Sequence, residues 1–182
     1  MLTVGKDIIE RCKKNDRNAQ KFIYENFFDK MFAVCRRYVK NDDDTLEVLN
    51  DGFISLFVNI AKYKGEGSFE GWVRKIIINK ALDHLRSNKK YKEMFKYVEN
   101  YSNDASFIDT NIMDSCDTEE LYHLVQSLPP IHQIVFNLYV VEEFSHKEIA
   151  EKINISEGTS RWYLSESRKI LKEKLMVPIN LV

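Results

Sequence analysis

The sequence predicts an all-α protein: two small helical domains joined by a flexible acidic linker, the second ending in a helix-turn-helix. Three observations carry that expectation. The 182 residues include only 6 Gly and 3 Pro against 44% hydrophobic residues, and the apolar positions recur at spacings of three and four. That periodicity lapses into Asn, Ser, Asp and Thr from Asn100 to Thr118. Finally, from Leu128 to about Leu175 two short helical patterns meet at Asn154-Ile155-Ser156. The expected boundaries are 1–96, 97–118 and 119–182.

The first helix is expected over roughly Val4–Lys13, with Ile8, Ile9 and Cys12 inward. Asn15 or Asp16 caps the second, which carries Ala19, Phe22, Ile23, Phe27, Met31, Val34, Cys35 and Tyr38 to about Val39. Phe22 and Phe27 are read as core. Asn41-Asp42-Asp43-Asp44 supplies a cap and favourable charge for a third helix to about Lys62, burying Leu46, Leu49, Phe53, Leu56, Phe57 and Ile60. Gly65 and Gly67 give a mobile loop, and Ser68 caps a helix from Phe69 to about Lys90. Trp72, Val73, Ile76, Ile77, Ala81, Leu82 and Leu85 form its apolar side. Its other positions bear Arg74, Lys75, Asn79, Lys80, Asp83, Arg86, Lys89 and Lys90.

Past the linker a helix resumes at Glu119, breaks at Pro129-Pro130 and continues as Ile131–Val141. Ser145 and Glu148 form a capping box, followed by an Ile149-Ala150-Ile153 stripe. Asn154 tolerates a left-handed turn, and Ser156 caps a helix from Glu157 to about Leu175 with Leu164, Ile170, Leu171 and Leu175 inward. Its expected outward residues, Thr159, Ser160, Arg161, Trp162, Ser165, Arg168 and Lys169, are mostly able to bond phosphates or base edges. A second helix after a tight turn is the geometry that enters a major groove.

The net charge of −1 conceals a pattern. Residues 1–96 hold 20 of the 27 Lys and Arg but 14 of the 28 Asp and Glu. Residues 97–146 hold nine acids and no Lys or Arg, and residues 147–182 hold seven basic and five acidic residues. Two basic modules separated by an acidic strap suit a nucleic-acid partner. The scattered Cys12, Cys35 and Cys116 fit neither a disulfide framework nor a metal site, and Cys35 reads as a buried thiol. His84, His123, His132 and His146 are isolated, with no nucleophile–base pair or phosphate-cradling loop, so neither enzyme nor cofactor is expected. No apolar run is long enough to span a bilayer and no signal-peptide pattern opens the chain. The expected location is cytoplasmic.

Residues 21–92 and 119–173 resemble the two conserved modules of bacterial RNA polymerase sigma factors, in the compact extracytoplasmic-function group. Glu47–Phe57, Lys62–Arg86 and Ser127–Leu171 carry the likeness. The resemblance implies that Glu47, Asn50, Asp51, Phe53, Leu56 and Phe57 dock on core RNA polymerase. It implies that Tyr63, Lys64, Phe69, Arg74, Lys75, Asn79, Lys80, Asp83 and Arg86 read and melt the minus-ten promoter element. Thr159, Ser160, Arg161, Trp162, Ser165, Arg168 and Lys169 would read the minus-thirty-five element. The acidic linker resembles the connector passing through the polymerase channel, and an anti-sigma partner is a family expectation. Asn50 stands where Gln is usual, Leu46 where an acid is common, and Trp162, Tyr163 and Glu166 where small or basic residues are often found. Two other classes remain open to test. A stand-alone helix-turn-helix regulator would bind duplex tightly without polymerase. An antagonist of another sigma factor would bind protein but not DNA.

Overall fold

The computed structural model describes residues 4–87 and 118–176, all of them helix, turn or loop. They belong to two compact units, divided between Lys89 and Lys90. Most of the expected linker, residues 97–117, lies outside the described residues, as do Cys116 and the expected helix end at Asn88, Lys89 and Lys90.

In the first unit, α1 (Lys6–Lys13) buries Ile9 and Cys12. Of the two candidate caps, Asp16 starts α2 (Arg17–Arg36): its Oδ1 accepts from the Asn18 and Ala19 amides at 2.8 and 3.2 Å. Asn15 instead makes the left-handed turn, φ 60°. Arg11 Nε stands 2.9 Å from Asp16 Oδ2, and this guanidinium with the two amides holds the Asp16 carboxyl below its usual range. The α2 stripe buries Ala19, Ile23, Phe27, Met31, Val34 and Cys35. Phe22 departs from the expected core at 38% exposure, since it precedes Ile23 and so falls off the stripe. Burial pushes the Cys35 thiol up to about 12, which leaves it unreactive.

Asn41 caps α3 (Asp42–Asn59), accepting from the Asp43 and Asp44 amides, and a 3-10 turn follows over Ile60–Lys62. Thr45, fully buried, sets its hydroxyl 2.7 Å from the Asn41 carbonyl and 3.1 Å from that of Val39. This fastens the α2–α3 turn. Helix α3 packs on α4 (Phe69–Ser87), and Gly52 faces Ile77 across the contact. A Cβ there would lie 2.3 Å from Ile77 Cδ1. The inward α3 side is Val48, Leu49, Gly52, Phe53 and Leu56; the expected Leu46 is 40% exposed, one position round the helix from that face. On α4, Val73, Ile77, Ala81, Leu82 and Leu85 are buried as expected and Ile78 joins them, while Trp72 and Ile76 are half-buried.

The second unit contains α5 (Thr118–Gln126), α6 (Pro130–Phe136), α7 (His146–Ile153) and α8 (Glu157–Met176). Pro130 opens α6, where its missing N–H costs nothing. The stretch expected as one helix to Val141 widens into a π turn over Asn137–Val141, closed by the Glu142 amide on the Asn137 carbonyl at 3.0 Å. The twenty-residue α8 packs against α5, α6 and α7. Lys174 Nζ ties its far end to the Ser127 carbonyl and hydroxyl, at 3.2 and 2.6 Å.

Candidate nucleic-acid interfaces

On α4, Lys75, Asn79, Asp83 and Arg86 recur every three or four residues and are all exposed. Arg74 and Lys80 flank them, half-buried. Arg86 pairs with Asp83 at 3.2 Å, so this cationic row contains one partly neutralised position. The preceding loop holds Gly65 and Gly67 at φ 82° and 76°, and the Tyr63 hydroxyl donates to the Gly67 carbonyl at 3.0 Å. Ser68 Oγ accepts from the Gly71 amide at 3.0 Å, the expected cap. Phe69, which the resemblance implies contacts the minus-ten element, is buried at 7% because its ring packs between Phe27 (5.9 Å) and Tyr63 (5.2 Å). Tyr63, half-buried beside Trp72 at 5.4 Å, remains the accessible aromatic edge with that indole. Below the loop lies an open cleft of about 650 Å³, lined by Val4, Ile9, Phe27 and Tyr63, with Lys6 and Arg74 also on its wall.

The outer face of α3 carries Glu47, Asn50 and Asp51, all exposed, with Asn50 accepting from the Tyr24 hydroxyl at 3.2 Å. Phe53 and Leu56, expected on this docking face, are buried at 2% and 0%: their spacing aims them at α2 and α4. Phe57 is half-buried. In their place Ile54 and Val58 stand out at 62% and 76% exposure, with Leu46 alongside. Neither Ile54 nor Val58 was expected at the surface. The signal was available, because Glu47, Asp51, Ile54 and Val58 share one helical row.

In the second unit the capping box is complete: Ser145 Oγ accepts from the Glu148 amide, and Glu148 Oε2 accepts from the Ser145 amide at 2.8 Å. Asn154 takes the left-handed turn at φ 56°. Ser156 Oγ accepts from the Thr159 amide at 2.9 Å. Ala150, at 9% exposure, lies on α7 where it packs against α8. Thr159 and Ser160, expected outward, are buried at 5% and 0%. Thr159 Oγ1 lies 2.8 Å from Ser156 Oγ, and Ser160 Oγ 2.9 Å from His146 Nδ1, so both lock the turn instead of facing outward. Arg161 and Lys169 are exposed, and Trp162, Ser165 and Arg168 are half-buried. Arg161, Ser165, Arg168 and Lys172 form one row, adding Lys172 to the expected set. Arg161 pairs with Glu157 at 2.9 Å, an exposed bond of little energetic weight.

Behind this row, Tyr163 is buried at 6% with the His132 ring edge-on at 4.8 Å, and Trp162 lies 5.9 Å from the same ring. Burial lowers the His132 pKa, opposed by the Glu166 carboxylate. Trp162, Tyr163 and Glu166, three of the residues that depart from the family pattern, therefore all act on His132. His146 stacks on Tyr139 at 4.4 Å, and its pKa is lowered by burial, then by Arg161 and Arg168 against the opposing Glu157.

Two helical units, one with a cationic helix beside an aromatic loop and the other with a helix-turn-helix, define a class of DNA-binding protein. The chain matches two family models, Sigma-70 region 2 over residues 23–91 and Sigma-70, region 4 over residues 118–171. It belongs to the sigma-70 family, in its extracytoplasmic-function (ECF) group. It is 26% identical to the ECF RNA polymerase sigma factor SigW of Bacillus subtilis, covering 92% of this chain and 94% of that relative. It is 24% identical to the ECF RNA polymerase sigma-E factor of Haemophilus influenzae, covering 92% and 93%. Among solved structures, the fold is similar to the sigma factor RpoE of Bartonella quintana in complex with the anti-sigma factor NepR. That likeness has a TM-score of 0.53 at 16% identity and covers 87% and 97% of the two chains. CnrH in complex with the cytosolic domain of CnrY gives a TM-score of 0.51 at 14% identity over 92% and 94%.

Proposed function

We propose that this chain is the dissociable subunit that binds core RNA polymerase and directs it to promoters. The observation that carries the reading is the pairing of two DNA-suited faces on separate compact units, in the order of sigma regions 2 and 4. Domain 1–96 docks on polymerase through Glu47, Asn50, Asp51, Ile54 and Val58 on α3. The same domain holds the minus-ten element along Lys75, Asn79, Lys80 and Arg86. Capture of one unpaired base suits the cleft beside Tyr63, with Lys6 and Arg74 to balance its phosphate. Domain 119–182 reads the minus-thirty-five element through Arg161, Ser165, Arg168, Lys169 and Lys172. The chain works in the cytoplasm by binding and catalyses no reaction of its own. An anti-sigma factor, the partner in the Bartonella quintana RpoE structure, is a further partner, and exposed Ile54 and Val58 give it an apolar foothold.

Transcription with core polymerase on the chain's own genomic templates tests the reading: promoter-dependent starts are expected, and their absence on every template ends it. Tight duplex binding by the free chain would instead favour the stand-alone regulator. Arg161→Ala is expected to cost about 1–3 kcal/mol of upstream-element binding in the assembled complex, with a shallower salt slope. Asp51→Lys should weaken pull-down of polymerase while circular dichroism stays unchanged.

A further inference from the structure

Among the described residues, His146 is the histidine held between the two helices of the helix-turn-helix. It opens α7, one residue after the Ser145 cap, and is only half-buried. One ring face lies on Tyr139 of the π turn, and Nδ1 is held 2.9 Å from the buried Ser160 hydroxyl on α8. Ser160 immediately precedes Arg161, so the ring sits beside the cationic row that faces DNA. A serine hydroxyl serves this contact in either state of the ring. It donates to Nδ1 of the neutral imidazole and accepts from Nδ1–H of the imidazolium. No rearrangement of the turn is needed for the ring to gain a proton.

The charges acting on the ring from α8 are Arg161, Arg168 and Glu157; the π turn contributes Tyr139, and its own helix Lys147 and Glu148 as sequence neighbours. In the free protein burial first of all, then Arg161 and Arg168 against the opposing Glu157, disfavour a further cation, and the positive end of α7 adds to them. A phosphate backbone laid along Arg161 and Arg168 reverses the sign of that field. We propose that His146 is a proton-gated member of the DNA-binding face, taking up one proton when duplex docks and adding a cation beside Arg161 and Arg168. This rests on α8 being the DNA-reading helix.

The sign follows from linkage. A group whose pKa rises on binding contributes affinity below its bound pKa and loses it as pH rises through that value. The free ring titrates below 6.5, so it is neutral at pH 7.5 and the gain grows as pH falls from there.

The test uses the full chain and a fluorescent mixed-sequence duplex of about 24 base pairs, at one low ionic strength, at pH 7.5 and 6.0. Wild type is expected to bind about three- to tenfold more tightly at pH 6.0, within the limit of tenfold per pH unit for one proton. His146→Gln keeps a bond to Ser160 but cannot titrate, and should lose most of that gain. In parallel, NMR of the ring Cε1–H of His146 should show its pKa rising when the duplex is added. An equal pH gain in His146→Gln, or an unmoved ring pKa with duplex bound, overturns the proposal while leaving α8 as the reader. A duplex affinity untouched by Arg161→Ala and Arg168→Ala overturns the reading of α8 and the proposal with it.

Discussion

Asn154 holds the helix-turn-helix together with a backbone conformation that side chains usually avoid. At φ 56° its L side chain sits in the left-handed region, where Asn is tolerated and most residues lose about 1–2 kcal/mol. Asn154→Ala should therefore destabilise the second unit by roughly 1 kcal/mol, and Asn154→Gly should not, read as the shift in urea midpoint. His132 gives a second residue-level expectation. Its folded pKa is depressed by burial, so the neutral ring contributes stability above 6.5 that is lost as pH falls through the folded value. The melting temperature of the second unit should drop between pH 7.5 and 5.5, less steeply in His132→Phe. The sequence showed Asn154 plainly, because Asn-Ile-Ser between two apolar stripes is a turn with a mechanism. It concealed the partners of His132 and His146, which come from α8 and the π turn. Pairings between residues far apart in sequence leave no local pattern.

Among the elements, α3 and α4 show where periodicity informs and where it stops. Their existence, their caps at Asn41 and Ser68, and most inward positions follow from spacing and capping chemistry. What spacing does not give is which of two adjacent apolar residues faces in. Leu46 and Phe22, read as inward, are exposed, whereas Phe53 and Leu56 are inside as the spacing had them, although the resemblance set them on the docking face. Phe69 fell the same way, its ring claimed by Phe27 and Tyr63. The outcome is decided by the third element, and for α3 that decision passes through Gly52. Ala at this site gains about 1 kcal/mol of helix propensity, offsetting a contact that the end of the Ile77 side chain can relieve. Val adds bulk that the buried Ile77 cannot escape. Gly52→Val should lower stability by about 1–3 kcal/mol and Gly52→Ala should stay near neutral, measured by denaturant unfolding of the full chain.

Across the whole molecule, the alternation of charge matters more than its near-zero sum. Residues 1–96 are cationic, residues 97–146 carry nine acids without a basic residue, and the remainder is again weakly basic. Carboxylates tethered between two cationic units compete with phosphates within a Debye length of about 8–10 Å. Replacing Asp104, Asp109, Asp114 and Asp117 by Asn should tighten binding of the free chain to mixed-sequence duplex several-fold at about 50 mM salt. The difference should shrink as salt rises. Titration of labelled duplex at two salt concentrations checks it, and equal affinities at low salt would show that the acids do not restrain the basic faces.

The long α8 helix serves two masters. One side is the spine against which α5, α6 and α7 are packed, with Tyr163, Leu164, Ser167 and Leu171 sealed inside and Lys174 pinned to Ser127. Arg161, Ser165, Arg168, Lys169 and Lys172 lie off that spine, exposed or half-buried, and can change without disturbing it. On the proposed reading of α8, retargeting this chain to a new promoter is a spelling problem with five letters. Grafting an entire foreign helix would exchange the vocabulary and the binding of the book together.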